Sequence, residues 1–116
     1  MASPNTVVIE GNLGRDPEQH GNGPVKFSVC WNQSKKNKAT DEWERVPHWF
    51  DVISWDRETV AQAGLTKGQR VVVAGRIHQE KWSDKETGQE RSKVVIVADT
   101  VSRSLDKPAA NDGPDW

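Results

Sequence analysis

The sequence predicts an all-β domain: a small barrel of five strands, one short helix between the third and fourth strands, and a long hairpin joining the fourth and fifth. Three observations predict it. Apolar residues recur mostly with period two, the spacing that puts alternate side chains on one face of a strand. Clusters rich in Gly, Pro, Asn and Asp cut these runs into short segments. The chain has 116 residues, of which 34% are apolar and 28% charged, which is one domain's worth of sequence around a modest core.

The first strand is expected from Val7 to Leu13, with a bulge or sharp bend at Gly11. Gly14-Arg15-Asp16-Pro17 and Gly21-Asn22-Gly23-Pro24 are turns. The second strand alternates cleanly, with Val25, Phe27, Val29 and Trp31 on one face and Lys26, Ser28 and Cys30 on the other. Asn32 to His48 has no apolar periodicity and reads as a long loop, of the kind that is functional or disordered. The third strand runs from Trp49 to Trp55. A helix follows from an Asp56 N-cap to about Ala63, closed by Gly64. The fourth strand, Arg70 to Trp82, is long, roughly 40 Å at about 3.3 Å per residue. Val71, Val73 and Ile77 mark its inner face, and it turns polar from His78, as a ribbon leaving the barrel would. Asp84 to Gly88 makes the hairpin turn, with Gly88 suited to a left-handed position. The fifth strand spans about Arg91 to Val101, apolar on both faces near its centre. This is the element order of an OB-fold barrel. Residues 1–105 are read as that domain, and residues 106–116, with Pro108, Gly113 and Pro114, as a short disordered acidic tail.

Composition narrows the function. No stretch approaches the roughly 20 apolar residues of a membrane span. The start lacks a basic region followed by an apolar run, and Cys30 is a single cysteine, so a reducing, cytoplasmic setting is expected. His20, His48 and His78 are scattered, and Asp51 and Asp56 have no paired ligand motif, so neither a metal, another cofactor nor an enzymatic activity is expected. The net charge is −1; three aspartates against one lysine in residues 106–116 leave the body near +1. A nearly neutral body argues against a purely electrostatic nucleic-acid binder. The six tryptophans are the second source of affinity, because stacking is worth about 1–3 kcal/mol per base and tolerates every base.

Trp49 and Trp55, six residues apart, share a strand face about 20 Å apart, although either could instead fill the barrel. Trp82 lies beside a charged turn where no core is at hand, so it calls for a ligand, or for burial against a sister subunit. Lys35, Lys36, Lys38, Arg57, Lys67, Arg70, Arg76 and Lys81 are candidates for a phosphate track, each competing with the plainer reading of a solvated charge. Trp31 is expected in the core or at its rim, and Trp43 has no evident place.

The stretches Val8-Ile9-Glu10-Gly11-Asn12-Leu13-Gly14-Arg15-Asp16-Pro17-Glu18, Trp49-Phe50-Asp51-Val52, Leu65-Thr66-Lys67-Gly68, Val73-Ala74-Gly75-Arg76, and Lys81-Trp82-Ser83-Asp84 running on to Thr87-Gly88-Gln89 resemble bacterial and phage single-stranded DNA-binding proteins over about residues 6–101. The resemblance implies an OB fold, a homotetramer or a dimer, and a sequence-independent coat on single-stranded DNA in replication, recombination and repair. It implies base stacking at Trp49, Trp55 and Trp82, and phosphate contacts at Lys38, Arg57, Lys67 and Lys81. The chain departs from the family at Lys35, where many members have a further stacking tryptophan, so that this contact is either missing or supplied by Trp31 or Trp43, and at His78 and Glu80, which are often basic. Its end, with Asp112, Asp115 and Trp116, stands in for the family's acidic Pro-Phe tip, which recruits partner proteins. The alternative reading is an OB-fold accessory that mainly docks replication or recombination partners. RNA binding also stays open, because stacking alone does not read the 2′-hydroxyl.

Overall fold

The computed structural model describes residues 3–19 and 21–104; the tail residues Asp112, Asp115 and Trp116 lie outside them. The elements are β1 (Val7–Leu13), β2 (Glu18–Gln19), β3 (Val25–Lys36), β4 (Trp43–Ser54), α1 (Arg57–Ala63), β5 (Arg70–Ser83) and β6 (Glu90–Arg103). They form one sheet in the order β1-β5-β6-β4-β3-β2, and β1 also pairs with β3, so the sheet closes on itself. A five-stranded barrel with one short helix between its third and fourth strands results, the OB fold; β2 is a two-residue addition to the edge of β3.

The core follows the period-two pattern. Leu13, Val25, Phe27, Val29, Val52, Val71, Val73 and Ile96 fill the interior, and Val60 and Leu65, from α1 and the turn after it, join them. Gly64 ends the helix at φ 62° and Gly88 turns the β5–β6 hairpin at φ 72°, both in the left-handed region. Among the described residues no helix is long and apolar enough to cross a membrane.

Three sequence expectations are corrected. Residues 32–48 are not one long loop: β3 and β4 pair without a register shift from Val25↔Ser54 out to Lys36↔Trp43, as a two-stranded arm beyond the core, and only residues 37–42 connect the strands. Both faces of such an arm meet solvent, which is why its apolar periodicity vanishes. Gly11 is not a bulge, because β1 stays in register with β5 through it. Glycine is needed there because a Cβ would lie 2.1 Å from the Cys30 carbonyl oxygen, where β1 passes from β5 to β3. The irregularity in the sheet sits instead between Ala74 and Gly75, where β5 skips Asp99 of β6. Finally, Ile77 keeps the inward phase of Val71 and Val73 but lies past the core and is 49% exposed; Asn5 brackets its backbone, Nδ2 donating to the Ile77 carbonyl and Oδ1 accepting its N–H.

Candidate nucleic-acid interface

Strand register decides which way the tryptophans face. In β4 the residues of even number point inward with Val52 and Ser54, so Trp49, Asp51 and Ile53 point outward, and Trp55, one residue past the strand's end, follows in the same phase and is exposed. The ambiguity at Ile53, which has the phase of both tryptophans, is resolved by its partners. Ile53 lies beside Val97 of the parallel β6, on the outer face, and is buried there rather than in the central core. Opposite β6, strand β5 pairs Arg76 with Val97, His78 with Val95, Glu80 with Lys93 and Trp82 with Arg91. Facing pairs project to the same side of a sheet, so Trp82 emerges on the same outer face as Trp49 and Trp55. The Lys93 Nζ to Asp51 Oδ2 ion pair, 3.6 Å across β6 and β4, joins the two halves of that face.

The three rings are 58% (Trp49), 65% (Trp55) and 45% (Trp82) exposed. None fills the barrel. Cys30, Ile53 and Val95 are buried on this same outer side, so the rings stand on an apolar floor. Burial also pushes the Cys30 thiol up, away from thiolate chemistry.

Each ring has its own support. Trp49 reaches over Gly14, where an added Cβ would come within 2.5 Å of its Cζ3 atom, so glycine leaves room for one face of the indole. The turn at Gly14 is bound to the loop before β5, with the Lys67 N–H donating to Asp16 Oδ1 at 2.6 Å and the Gly68 N–H to the Leu13 carbonyl at 2.9 Å. Trp55 stands at the exit of β4, two residues before Arg57 opens α1. Trp82 lines a depression of about 370 Å³ with Lys81, Ser83, Glu90, Arg91 and Ser92. Asp84 orders that hairpin end: its Oδ1 accepts the Glu86 N–H at 2.9 Å and its Oδ2 the Arg91 Nε at 3.1 Å. The Glu86 N–H foremost, with Arg91 and Thr87 adding, holds the Asp84 carboxyl below its ordinary range.

The basic candidates divide. Lys36 is on the outer face of the arm and pairs with Asp41 at 2.9 Å, while Lys35, next in sequence, points to the opposite face. Arg76 is on the tryptophan face and pairs with Asp99 at 3.2 Å. Arg70 is held by Glu10 at 3.2 Å, which in turn keeps the Glu10 carboxyl low. Lys38, at the tip of the arm, and Arg57, Lys67 and Lys81 are all exposed. Trp31 sits at the rim, its ring 5.4 Å from that of His48 on the inward-phase side of the arm, and His48 Nε2 is 2.9 Å from Gln33 Oε1. Sequence reasoning left Trp43 without a place; it opens β4 and is 55% exposed. Its spacing of six from Trp49 was visible, but not the strand that gives the spacing meaning. Among the described residues no cluster of His, Cys, Asp and Glu has the makings of a metal site.

The model of the "Single-strand binding protein family" matches residues 4–104. The chain is 36% identical over 106 residues to the "Single-stranded DNA-binding protein" of Borreliella burgdorferi, covering 87% of this chain and 70% of that one. It is 38% identical over 106 residues to the protein of the same description from Treponema pallidum, covering 87% of this chain and 58% of that one. Among solved structures, the "Plasmodium falciparum SSB complex with ssDNA" superposes with a TM-score of 0.75 at 24% identity, over 90% of this chain and 97% of that one. The small single-stranded DNA-binding protein from Streptomyces coelicolor gives 0.63 at 24% identity, over 86% and 94%. At such identities these structures speak for the fold.

Proposed function

The chain belongs to the single-strand binding protein family, and we propose that it coats single-stranded DNA without regard to sequence by stacking bases on Trp49, Trp55 and Trp82. The observation that carries this reading is the shared direction of the three rings: one outer face, all three about half or more open to solvent. Every base offers a π-face, so such a row binds any sequence, and each stacked base contributes about 1–3 kcal/mol. Lys38, Arg57, Lys67 and Lys81 supply phosphate contacts around the rings, with Lys36 and Arg76 joining where phosphate displaces their carboxylate partners and Lys35 reached only from the arm's other face. The work is binding alone, with no catalytic step, in replication, recombination and repair at the nucleoid.

Assembly into a homo-oligomer, a tetramer or a dimer, is part of the proposal. Val94 (61%) and Ile77 (49%) are apolar, exposed and of one phase on the β5–β6 hairpin past the core, a surface that a second copy would cover. Recruitment of partner proteins through Asp112, Asp115 and Trp116 rests on the sequence alone. Titration with poly-dT tests the central reading: tryptophan fluorescence should be strongly quenched, and Trp55→Ala and Trp82→Ala should each cost about 1–3 kcal/mol of affinity. Fluorescence indifferent to poly-dT would end it.

A further inference from the structure

We propose that Asn22 is a site of spontaneous deamidation, and that the carboxylate left there loosens the protein's hold on DNA beside Trp55. The consequence for binding rests on the stacking reading above; the modification itself does not.

The reaction needs only the chain and water. The Gly23 backbone nitrogen attacks the carbonyl carbon of the Asn22 side chain. A bond forms between the two, the bond from that carbon to Nδ2 breaks, and Nδ2 leaves as ammonia with the proton given up by the Gly23 amide. Water then opens the cyclic imide. Cleavage of the new bond gives aspartate, and cleavage of the original main-chain bond gives isoaspartate, with a lengthened main chain. Either product carries a negative charge where the parent has none.

Asn22 is singled out by its successor and its surroundings. A following glycine has no Cβ to shield the attacking nitrogen, and of the asparagines among the described residues only Asn22 is followed by one. Asn22 is exposed, and among the described residues nothing hydrogen-bonds to its side chain. Asn5 and Asn37, by contrast, have both polar side-chain atoms engaged, Asn5 with the Ile77 backbone and Asn37 with Glu44 and the Ala39 N–H. Asn12 donates to the Gly68 carbonyl, and Asn32 accepts from Cys30. The turn also gives the backbone room. Gln19 lies across from Val25, so Asn22 stands at the tip of the β2–β3 hairpin. Gly21 takes φ 60°, and nothing lies within 4 Å of where its Cβ would be. Such a tip opens locally, so Asn22 reaches the attacking geometry without a strand coming apart.

The same tip stands at the end of the tryptophan face. Val25 pairs with Ser54, the last residue of β4; Trp55 follows, and Arg57 opens α1. Lys26, the next residue of β3, pairs with Ile53 and has the outward phase of the rings. A carboxylate at position 22 therefore arrives at the end of the sheet that holds Trp55, Lys26 and Arg57, where it repels phosphate and competes for both cations. Being exposed, it acts weakly and is screened by salt.

The test ages the full chain in mildly alkaline buffer and reads its tryptic peptides by mass. The peptide Asp16–Lys26 contains Asn22 and no other asparagine. It should acquire the mass of an acid in place of an amide severalfold faster than the peptides holding Asn5, Asn12 and Asn32, and resolve into aspartate and isoaspartate forms. Gly23 is not among the glycines of positive φ, so Gly23→Ala keeps the turn and should suppress the change. Asn22→Asp should bind a short dT oligomer about twofold more weakly than the parent at low salt, the gap closing as salt rises. Asn22→Gln should match the fresh parent and keep its affinity through the incubation that lowers the parent's. A peptide Asp16–Lys26 that ages no faster than the others overturns the proposal, and so does an Asn22→Asp protein that binds like the parent at low salt. A parent that dT does not quench removes the stacking reading and the binding consequence with it, while the peptide masses still decide the modification.

Discussion

At the scale of single residues, the interface depends on small side chains as much as on the rings. Trp49 has an exposed indole because position 14 has no Cβ: an added methyl would sit 2.5 Å from its ring. Gly14 is not among the glycines with positive φ, so alanine is free to adopt its backbone conformation, and the nearest obstacle is a half-exposed ring able to swing away. Gly14→Ala should therefore leave thermal stability within about 3 °C of the parent while displacing Trp49 from its support. The displacement should weaken poly-dT binding by about 1 kcal/mol, roughly fivefold, a share of one stacking contact. A Gly14→Ala protein that folds and binds like the parent would show that this ring position is not the binding one. Sequence alone paired Trp49 with Trp55 but left their direction open, since Ile53 has the same phase. The direction is set by the neighbouring β6, whose Val97 lies beside Ile53. A parallel contact between strands more than 40 residues apart leaves no local trace in the chain.

At the scale of elements, legibility followed the core. Strands that cross the barrel alternate because one side is buried, and β1, β5 and β6 lie within two residues of where periodicity put them. The outer part of the β3–β4 arm has no buried side, so its strands read as loop until backbone pairing reveals them. The β5–β6 hairpin was legible for the opposite reason, through its turn chemistry. Asp84 closes that turn with its backbone and its carboxylate: its N–H donates to the Gln89 carbonyl at 2.8 Å, its carbonyl accepts the Gly88 N–H at 2.7 Å, and its side chain accepts from Glu86 and Arg91. Because these donors favour the ionised form, the folded-state value lies below the unfolded one. The ordering they provide is complete above about pH 4 and is lost as pH falls through the lowered value. Asp84→Ala should accelerate amide exchange over residues 86–91 at neutral pH, and lowering the pH of the parent below about 4 should do the same, more than in the variant. Equal acceleration by acid in parent and variant would mean that another group orders the turn.

At the scale of the whole molecule, the face that carries the tryptophans is not a strongly positive one. The chain has 16 basic and 17 acidic side chains, and acids are laid against several of the cations that the sequence nominates for phosphate. Lys36 has Asp41, Arg76 has Asp99, and Lys93 on the same face has Asp51. His78 and Glu80 add no fixed positive charge between Arg76 and Trp82. Phosphate must displace a carboxylate to reach Lys36 or Arg76, so the phosphates neutralised on binding, whose counterions are released, are mainly those met by Lys38, Arg57, Lys67 and Lys81. Neutralising about four phosphates per protomer gives a slope of log affinity against log salt near −3 for a single strand, since each contributes about −0.7. Affinity for a short dT oligomer should accordingly fall with salt no more steeply than that, and stacking should preserve measurable quenching where a purely ionic complex has dissociated. Breaking one ion pair reverses part of this restraint. Asp99→Asn frees Arg76 and removes a repulsive charge, so it should tighten binding at low salt and steepen the slope by up to about 0.7. An Asp99→Asn slope equal to the parent's would place Arg76 outside the path of the strand, and a parent slope much steeper than −3 would mean that phosphate contacts outweigh the rings.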